Sequence, residues 1–462
     1  MSDMVEVIVD KRAFNAEKGT LLIDLLIKEK IKVPYFCYHE ALGADGNCRM
    51  CMVEIEGQKR PQIACDTFIK EGMEVRSTGE NIEKVRTDIL ELELVNHPVD
   101  CPTCDQAGEC SLQDFYKDYG LHDSKISIPE KVKNLKKVDL GSNVMLDQER
   151  CVLCARCTRF TDQITHTHEL GIIGRGDHAR VSTMPGRKLD NPYAMNVVDL
   201  CPVGALTSKD FRFHQRVWFL SAVESVCHGC AKGCNIYIDH NKMKYKDDAI
   251  YRFRPRRNDD VNGFFICDEG RLSYKDLQQN RQETIVLHKK EISEKEITEK
   301  EALEEFQRLL QIYQNNITVI IDANLYTEEI EAILAFSTKI GAKVHAPLDI
   351  YRDEDFKDDM LRSSDRAANA KTIKVFGINT EEPSLNGLLI NFNHPQDFEA
   401  DVSIEFKTHR SENGTLIFPL ATYAESTGHV TNEDGISQKC EKALEMNHPV
   451  PTVIEWLEKV NS

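Results

Sequence analysis

Residues 97–110 read His-Pro-Val-Asp-Cys-Pro-Thr-Cys-Asp-Gln-Ala-Gly-Glu-Cys. One histidine and three cysteines stand here with gaps of three, two and five residues. Imidazole nitrogen and thiolate sulfur bind transition metals, and short gaps let one loop wrap around a metal centre. The stretch therefore predicts a metal site with His97, Cys101, Cys104 and Cys110 as ligands. Taken alone, the pattern is equally compatible with zinc.

The sequence before this stretch predicts a small domain with its own ligand set. Residues 5–10 alternate as a strand does, residues 20–30 have helical periodicity, and residues 74–77 form a closing strand. Two strands, a helix and a cysteine-bearing loop suit a β-grasp domain of ferredoxin type over residues 1–78, which favours a 2Fe–2S cluster. The predicted ligands are Cys37, Cys48, Cys51 and Cys65. A four-cysteine zinc site is the alternative.

The helical segment 79–124 contains the quoted stretch, which lies between two ferredoxin-like sets. In that position we interpret it as a 4Fe–4S site with one imidazole ligand. A neutral ligand makes a cluster less anionic and raises its potential.

Two further sets follow along the chain. The third, in a domain over residues 138–219, is the bacterial ferredoxin signature with its last gap expanded to 43 residues. The fourth, over residues 220–275, has gaps of 2, 3 and 32 residues and resembles the cluster motif of molybdopterin oxidoreductases. Both predict 4Fe–4S clusters. The ligands are Cys151, Cys154, Cys157 and Cys201 for the third set, and Cys227, Cys230, Cys234 and Cys267 for the fourth.

Composition narrows the class of protein. The formal charge of −18 over 462 residues disfavours nucleic acid as a partner, because nucleic-acid binding needs a basic surface. No apolar run reaches the roughly 18 residues of a membrane span, and the N-terminus has no signal-peptide character. Of 16 cysteines, all but Cys440 fall into the four tight groups, which indicates metal ligation and not disulfides. We expect a cytoplasmic protein.

The rest of the chain predicts linkers and an α/β domain. Residues 125–137 and 277–298 are polar and are interpreted as linkers. Strands at 317–322 and 372–376, with a helix at 327–340 between them, indicate a parallel sheet in a domain over residues 297–462. His166, His168 and Cys440 are interpreted as two loop histidines and a small buried side chain, not as ligands. The fold class is thus multi-domain α+β.

Several motifs resemble the large peripheral-arm iron–sulfur subunit of NADH:quinone oxidoreductase, respiratory complex I. They are Cys48-Arg-Met-Cys51, His97-Pro-Val-Asp-Cys101-Pro-Thr-Cys104, Gly108-Glu-Cys110-Ser-Leu-Gln-Asp114, Cys151–Cys157 and Cys201-Pro-Val-Gly-Ala-Leu206. The resemblance implies one 2Fe–2S and three 4Fe–4S clusters that relay electrons, with no bond chemistry on this chain. It also implies a donor subunit, a quinone-proximal iron–sulfur subunit, and a place on the cytoplasmic side of the inner membrane within a complex.

The tail is similar to a shortened molybdopterin-oxidoreductase domain, through residues 413–425 and 431–438. Molybdenum enzymes of this kind usually carry a lysine two residues past the last cluster cysteine. Asp268 and Glu269 follow Cys267 here, so no molybdopterin is expected. The alternative functions are a subunit of an NAD-linked formate dehydrogenase or hydrogenase-type complex, and a zinc-stapled scaffold without redox activity.

Overall fold

The computed structural model describes residues 3–120, 123–242, 249–289, 292–314, 316–445 and 449–461. The chain divides into two compact units, residues 1–218 and 219–462. Within the described residues, no helix is both long and apolar enough to cross a membrane.

The first unit begins with the predicted β-grasp domain. Its five-stranded sheet has the order β2-β1-β5-β3-β4, with β1 antiparallel to β2 and parallel to β5. Helix α1 buries Leu22, Ile23, Leu25 and Leu26 against this sheet, as its periodicity predicted. The elements are β1 (Met4–Val9), β2 (Arg12–Glu17), α1 (Leu22–Lys28), β3 (Met52–Ile55), β4 (Gln62–Ile63) and β5 (Met73–Arg76).

The remainder of the first unit is made of short elements around the second and third sets. The strands β10, β7 and β6 form a three-stranded sheet, and β8 pairs with β9 as a hairpin. The elements are α2 (Glu80–Leu94), α3 (Ser111–Phe115), β6 (Val138–Asp139), β7 (Val144–Leu146), α4 (Arg156–Arg159), β8 (Leu170–Ile173), β9 (Arg180–Thr183), α5 (Asn196–Leu200) and β10 (Leu206–Ser208).

The second unit combines a three-stranded meander with a seven-stranded sheet. The meander β11-β12-β13 is antiparallel, and the large sheet has the order β15-β14-β20-β19-β18-β16-β17. The elements are β11 (Leu220–Val226), β12 (Asn235–Asn241), β13 (Ile250–Pro255), α6 (Asp268–Leu272), β14 (Val286–Lys289), β15 (Ile292–Glu296), α7 (Glu299–Ile312), β16 (Ile317–Ile321), α8 (Thr327–Ile340), β17 (Lys343–His345), α9 (Ala370–Val375), β18 (Leu388–Phe392), β19 (Val402–Lys407), β20 (Leu416–Pro419), β21 (Gly428–Thr431), β22 (Ser437–Cys440) and α10 (Val453–Asn461).

The core of the large sheet is an aromatic ladder across adjacent strands. Phe392, Phe406 and Phe418 stand opposite one another in β18, β19 and β20, with ring centroids 4.7 and 4.9 Å apart. Strands β17, β16, β18, β19 and β20 are parallel, as predicted for an α/β domain.

Two predictions in this region were wrong. The proposed linker 277–298 contains β14 and β15, because Val286 and Leu287 are buried and pair with β20. Residues 372–376 belong largely to helix α9 and not to a strand. In the sheet β16 lies between β17 and β18, and β18 is an apolar run whose five residues are all buried. Short apolar runs fit either element, so periodicity alone did not separate them.

Candidate metal centres

The first set lies in the loop between α1 and β3 and in the turn after β4. All four thiols of Cys37, Cys48, Cys51 and Cys65 are buried. Cys37 Sγ and Cys48 Sγ are 3.3 Å apart, and this hydrogen bond lowers the pKa of Cys37 while raising that of Cys48. The loop reverses through Gly43 and Gly46, which have φ of +68° and +72°. Glycine tolerates this left-handed conformation, so the chain can wrap tightly around the four sulfurs.

The second set borders a cavity of about 690 Å³. The four members that line it are His97, Cys101, Cys104 and Cys110. His97 follows helix α2, and burial lowers its pKa to about 4, so the imidazole is neutral and its nitrogen lone pair is available to a metal. Burial also raises the pKa of Cys110 to about 11. A thiolate is costly there without a cation to offset it.

The loop of the second set is held by a charged network that sequence reasoning missed. Arg150 donates to Asp100 Oδ2 at 2.7 Å, and Lys136 Nζ lies 2.9 Å from the same oxygen. Lys131 is buried and donates to the carbonyls of Leu94 and Val95 at 2.7 and 2.9 Å, at the end of α2. Basic side chains of the predicted linker 125–137 thus anchor the segment around His97. The sequence signal was the basic character of that stretch.

The third set encloses a small cavity lined by Cys151, Cys154, Cys157 and Cys201. The short triplet curls because Leu153 and Ala155 adopt positive φ of 49° and 60°, although neither is glycine. Such conformations cost of order 1–3 kcal/mol and persist where the surroundings require them. Burial raises the pKa of Cys154 to about 12, so this pocket also favours a cationic centre.

The first and third sets are joined by two arginines of α4. Arg156 donates to Tyr38 O at 2.6 Å and to Leu200 O at 3.0 Å. Arg159 donates to the carbonyls of Leu42 and Gly43, each at 3.0 Å, and to that of Cys37. Two guanidinium groups therefore bind the loop of the first set directly to the helix that carries Cys157. The sequence places both arginines beside the cysteines of the third set, and their bridging role required the structure.

The second and third sets are also in contact. Ser111 N, next to Cys110, donates to Pro202 O at 2.8 Å, next to Cys201. Gly204 lies against the second set, since a Cβ added there would be 2.3 Å from Cys104 Sγ. Only glycine fits between the two sets.

The fourth set lies in the second unit. Cys227, Cys230 and Cys234 occupy the β11–β12 connection, and Cys267 caps helix α6 by accepting from Gly270 N at 3.3 Å. All four line a cavity of about 490 Å³. A Cβ on Gly270 would be 3.0 Å from Cys227 Sγ, so this position is also tight.

The second and fourth donor sets leave room for a group larger than one ion. Zinc binds thiolates at about 2.3 Å and needs its ligands gathered around a single point. The second set lines a cavity of about 690 Å³ and the fourth a cavity of about 490 Å³. Soft donors around cavities of this size fit 4Fe–4S clusters, which bind through one thiolate or imidazole per iron.

The residues set aside from the sequence lie outside these sites. His166 and His168 are exposed loop residues, and His168 pairs with Asp162 at 2.7 Å. Cys440 is fully buried, 3.9 Å from His228 Nε2.

Four family models match successive parts of the chain. Residues 2–80 match a 2Fe–2S iron–sulfur cluster binding domain, and residues 86–125 match the NADH-ubiquinone oxidoreductase-G iron–sulfur binding region. Residues 141–207 match the ferredoxin-like domain of NADH-quinone oxidoreductase subunit 3, and residues 220–279 match the molybdopterin oxidoreductase Fe4S4 domain. Domains that bind 2Fe–2S and 4Fe–4S clusters are therefore present.

Curated relatives agree with these matches. The chain is 35% identical over 376 residues to the NADH-ubiquinone oxidoreductase 75 kDa subunit of Reclinomonas americana, covering 78% of this chain and 52% of that protein. It is 38% identical over 287 residues to the NADH-quinone oxidoreductase G subunit of Streptomyces coelicolor, covering 62% of this chain and 33% of that protein. The chain thus spans about half, or less, of the length of these relatives.

Among solved structures, one chain of an NAD+-reducing NiFe-hydrogenase in the H2-reduced state is 28% identical, with a TM-score of 0.42. The matched region covers 46% of this chain and 91% of the hydrogenase chain.

Proposed function

Over its cysteine-rich part this chain belongs to the family of the NADH-quinone oxidoreductase G subunit, and on that premise we propose that it is an electron-relay subunit of such a complex. It takes single electrons from a donor subunit and passes them toward quinone. The chain contributes binding sites and charge, and the bond chemistry belongs to other subunits.

The observation that carries this proposal is the contact series in the first unit. Arg156 and Arg159 connect the first set to the third, and the Ser111–Pro202 hydrogen bond connects the third to the second. The spatial order of the sets is therefore first, third, second, which differs from their order in the sequence. A continuous series of neighbouring donor sets is what a relay requires.

We propose that the second set is where electrons leave this chain. Cys101 is exposed, and Leu92 and Val99 beside the same cavity are 74% and 72% exposed. Exposed apolar side chains around a donor set suit docking of another protein. The acceptor is then a quinone-proximal iron–sulfur subunit, and the donor, a flavoprotein or another carrier, docks near the first set.

The proposed ligands are the sixteen residues of the four sets. The first set would hold one 2Fe–2S cluster, and the other three would each hold one 4Fe–4S cluster. When bound, these clusters supply one-electron transfer. The chain buries the thiols, fixes their loops, and provides a neutral imidazole at His97. We propose that no molybdopterin binds the tail, since Asp268 and Glu269 place carboxylates after Cys267.

The complex would sit on the cytoplasmic side of the inner membrane, with this chain in its peripheral part. No nucleic acid is involved, in keeping with the formal charge of −18.

Anaerobic purification of the chain tests the proposal. About 14 irons per chain are expected, from one two-iron and three four-iron clusters. The isolated chain should neither oxidise NADH nor reduce quinone. An iron content near ten with zinc making up the difference refutes at least one assignment, and NADH turnover by the chain alone refutes the relay role. Oxidation of formate or H2 by the intact complex favours the formate dehydrogenase or hydrogenase alternative.

A further inference from the structure

A segment of the tail covers the fourth set. Ala231 N, next to Cys230, donates to Asp365 O at 2.7 Å, and Cys230 Sγ lies 4.0 Å from Leu361 O. Phe356, Leu361 and Arg366 line the same cavity as the four cysteines. Residues more than a hundred positions beyond the cysteine loop therefore form one wall of this centre.

Arg366 is the best-anchored side chain of that wall. Its Nε donates to Gly229 O at 2.8 Å, within the loop between Cys227 and Cys230. One terminal nitrogen pairs with Glu269, two residues past Cys267, and the other lies 3.5 Å from Asp353 Oδ2. The guanidinium thus connects both halves of the ligand set.

An aromatic ring fixes the position of this charge. Arg366 stacks on Phe356 with its guanidinium carbon 3.7 Å from the ring centroid, and Arg362 stacks on the same ring at 3.9 Å. Arginine stays protonated at all physiological pH values, and its planar group loses little freedom when stacked. Two permanent positive charges are therefore held beside the cavity.

Both charges lie at the same wall of the cavity, because Phe356 lines it and both guanidinium groups stack on that ring. A fixed cation there stabilises any added negative charge in the cavity, since a partly buried site screens the attraction only weakly.

We propose that Arg366 is a positioning residue that raises the reduction potential of the fourth centre. This inference rests on the proposed 4Fe–4S cluster at Cys227, Cys230, Cys234 and Cys267. One-electron reduction adds a negative charge to the site, which the fixed guanidinium stabilises more than it stabilises the oxidised form. Glu269 acts in the opposite direction, and its pairing with Arg366 sets the balance.

The test is an EPR-monitored redox titration of the intact purified complex with three variants of this pair. Arg366→Gln removes the charge and leaves Glu269 unpaired, so the midpoint potential of the fourth cluster should fall. We expect the ratio of reduced to oxidised cluster at a fixed potential to drop about tenfold, which is 59 mV for one electron. Arg366→Lys should restore part of the potential, and Glu269→Gln should raise it.

Arg352→Gln is the matched control. Arg352 belongs to the same segment, but its side chain is 63% exposed and pairs with Glu354. In this variant the midpoint potential of the fourth cluster should equal that of the unaltered protein. The midpoint potentials of the other three clusters should stay unchanged in every variant.

The inference is overturned if the fourth cluster is present and has the same midpoint potential in Arg366→Gln, Glu269→Gln and Arg352→Gln. If Arg366→Gln loses the cluster, the Glu269→Gln variant is the test. A raised midpoint potential of its fourth cluster supports the inference, and an unchanged midpoint potential refutes it. A complex that never shows a fourth cluster refutes the cofactor assignment itself, which iron analysis of the unaltered protein reveals separately.

Discussion

At the scale of single residues, His97 differs from the other fifteen proposed ligands because it is neutral when it binds. Replacing it with cysteine puts an anionic thiolate in its place. We expect His97→Cys to retain a cluster with a lower reduction potential, since a more anionic cluster is harder to reduce. Redox titration followed by EPR measures this. His168→Cys, in an exposed loop, is the control, and an unchanged set of signals and potentials in His97→Cys would show that His97 is not a ligand.

Gly204 is a second residue whose identity the site requires. A methyl group there would be 2.3 Å from Cys104 Sγ and 3.0 Å from Gln106 Cβ. Gly204→Ala should therefore displace Cys104 and remove up to four irons per chain, with the signal of the second centre lost first. Gly171→Ala is the control, because a Cβ added there meets, among the described residues, the flexible side chain of Met184, whose Sδ would be 3.2 Å away. Full iron content in Gly204→Ala would show that the second set does not use Cys104 in this position.

At this scale the proposed ligand sets come from the sequence. Cysteine spacing predicted which thiols group together, because loop ligands lie close in sequence, and their role as ligands stays a prediction. Cysteine spacing carried no information about Gly204 or Arg366. Gly204 lies against Cys104, about 100 residues earlier, and Arg366 donates to Gly229, 137 residues earlier in the sequence. Long-range contacts of this kind depend on how the elements pack.

At the scale of elements, helix α8 begins at a buried carboxylate. Glu329 is 8% exposed and accepts from Tyr326 N at 3.0 Å, and burial raises its pKa to about 7. An unfolded glutamate titrates near 4.3. The folded state therefore binds the proton more tightly, and stability falls as pH rises from about 4.3 to 7.

We expect Glu329→Gln to remove this pH dependence and to raise the stability at pH 8 by at most about 4 kcal/mol, since the shift is about 2.7 pKa units and each unit is worth 1.36 kcal/mol. Thermal unfolding at pH 5.5 and pH 8 measures the difference from the unaltered chain. Glu331→Gln, exposed on the same helix, should leave the dependence intact. A steeper dependence in Glu329→Gln would contradict the assigned pKa.

Element prediction succeeded where periodicity was long and failed where it was short. Helix α8 was predicted over residues 327–340, and the structure gives it the same bounds. Residues 286–296 were assigned to a linker because the stretch is rich in charged residues, which obscured the short apolar run at its start. Those strands form only because β20, over a hundred residues later, provides the partner.

At the scale of the whole molecule, the two units separate the four sets. Three lie in residues 1–218 and the fourth lies in residues 219–462. We expect Cys230→Ala to lower the melting temperature of the second unit, because a bound structural metal contributes folding energy. Complexes that assemble should retain near-normal electron flux. Calorimetry measures the melting temperature and quinone reduction measures the flux, with Arg352→Gln at an exposed residue of the same unit as the control. A stable complex with turnover reduced at least tenfold would place the fourth centre on the relay.

The close approach of Gly204 to Cys104 has a consequence for biosynthesis. The ribosome adds about 5–20 residues per second, so Cys110 emerges several seconds before Gly204 does. During that interval the nascent chain carries all four donors of the second set but lacks one wall of its pocket. Iron delivered early would face solvent on that side. We therefore expect a metal centre at this set to be completed only after the later stretch of the polypeptide has been made.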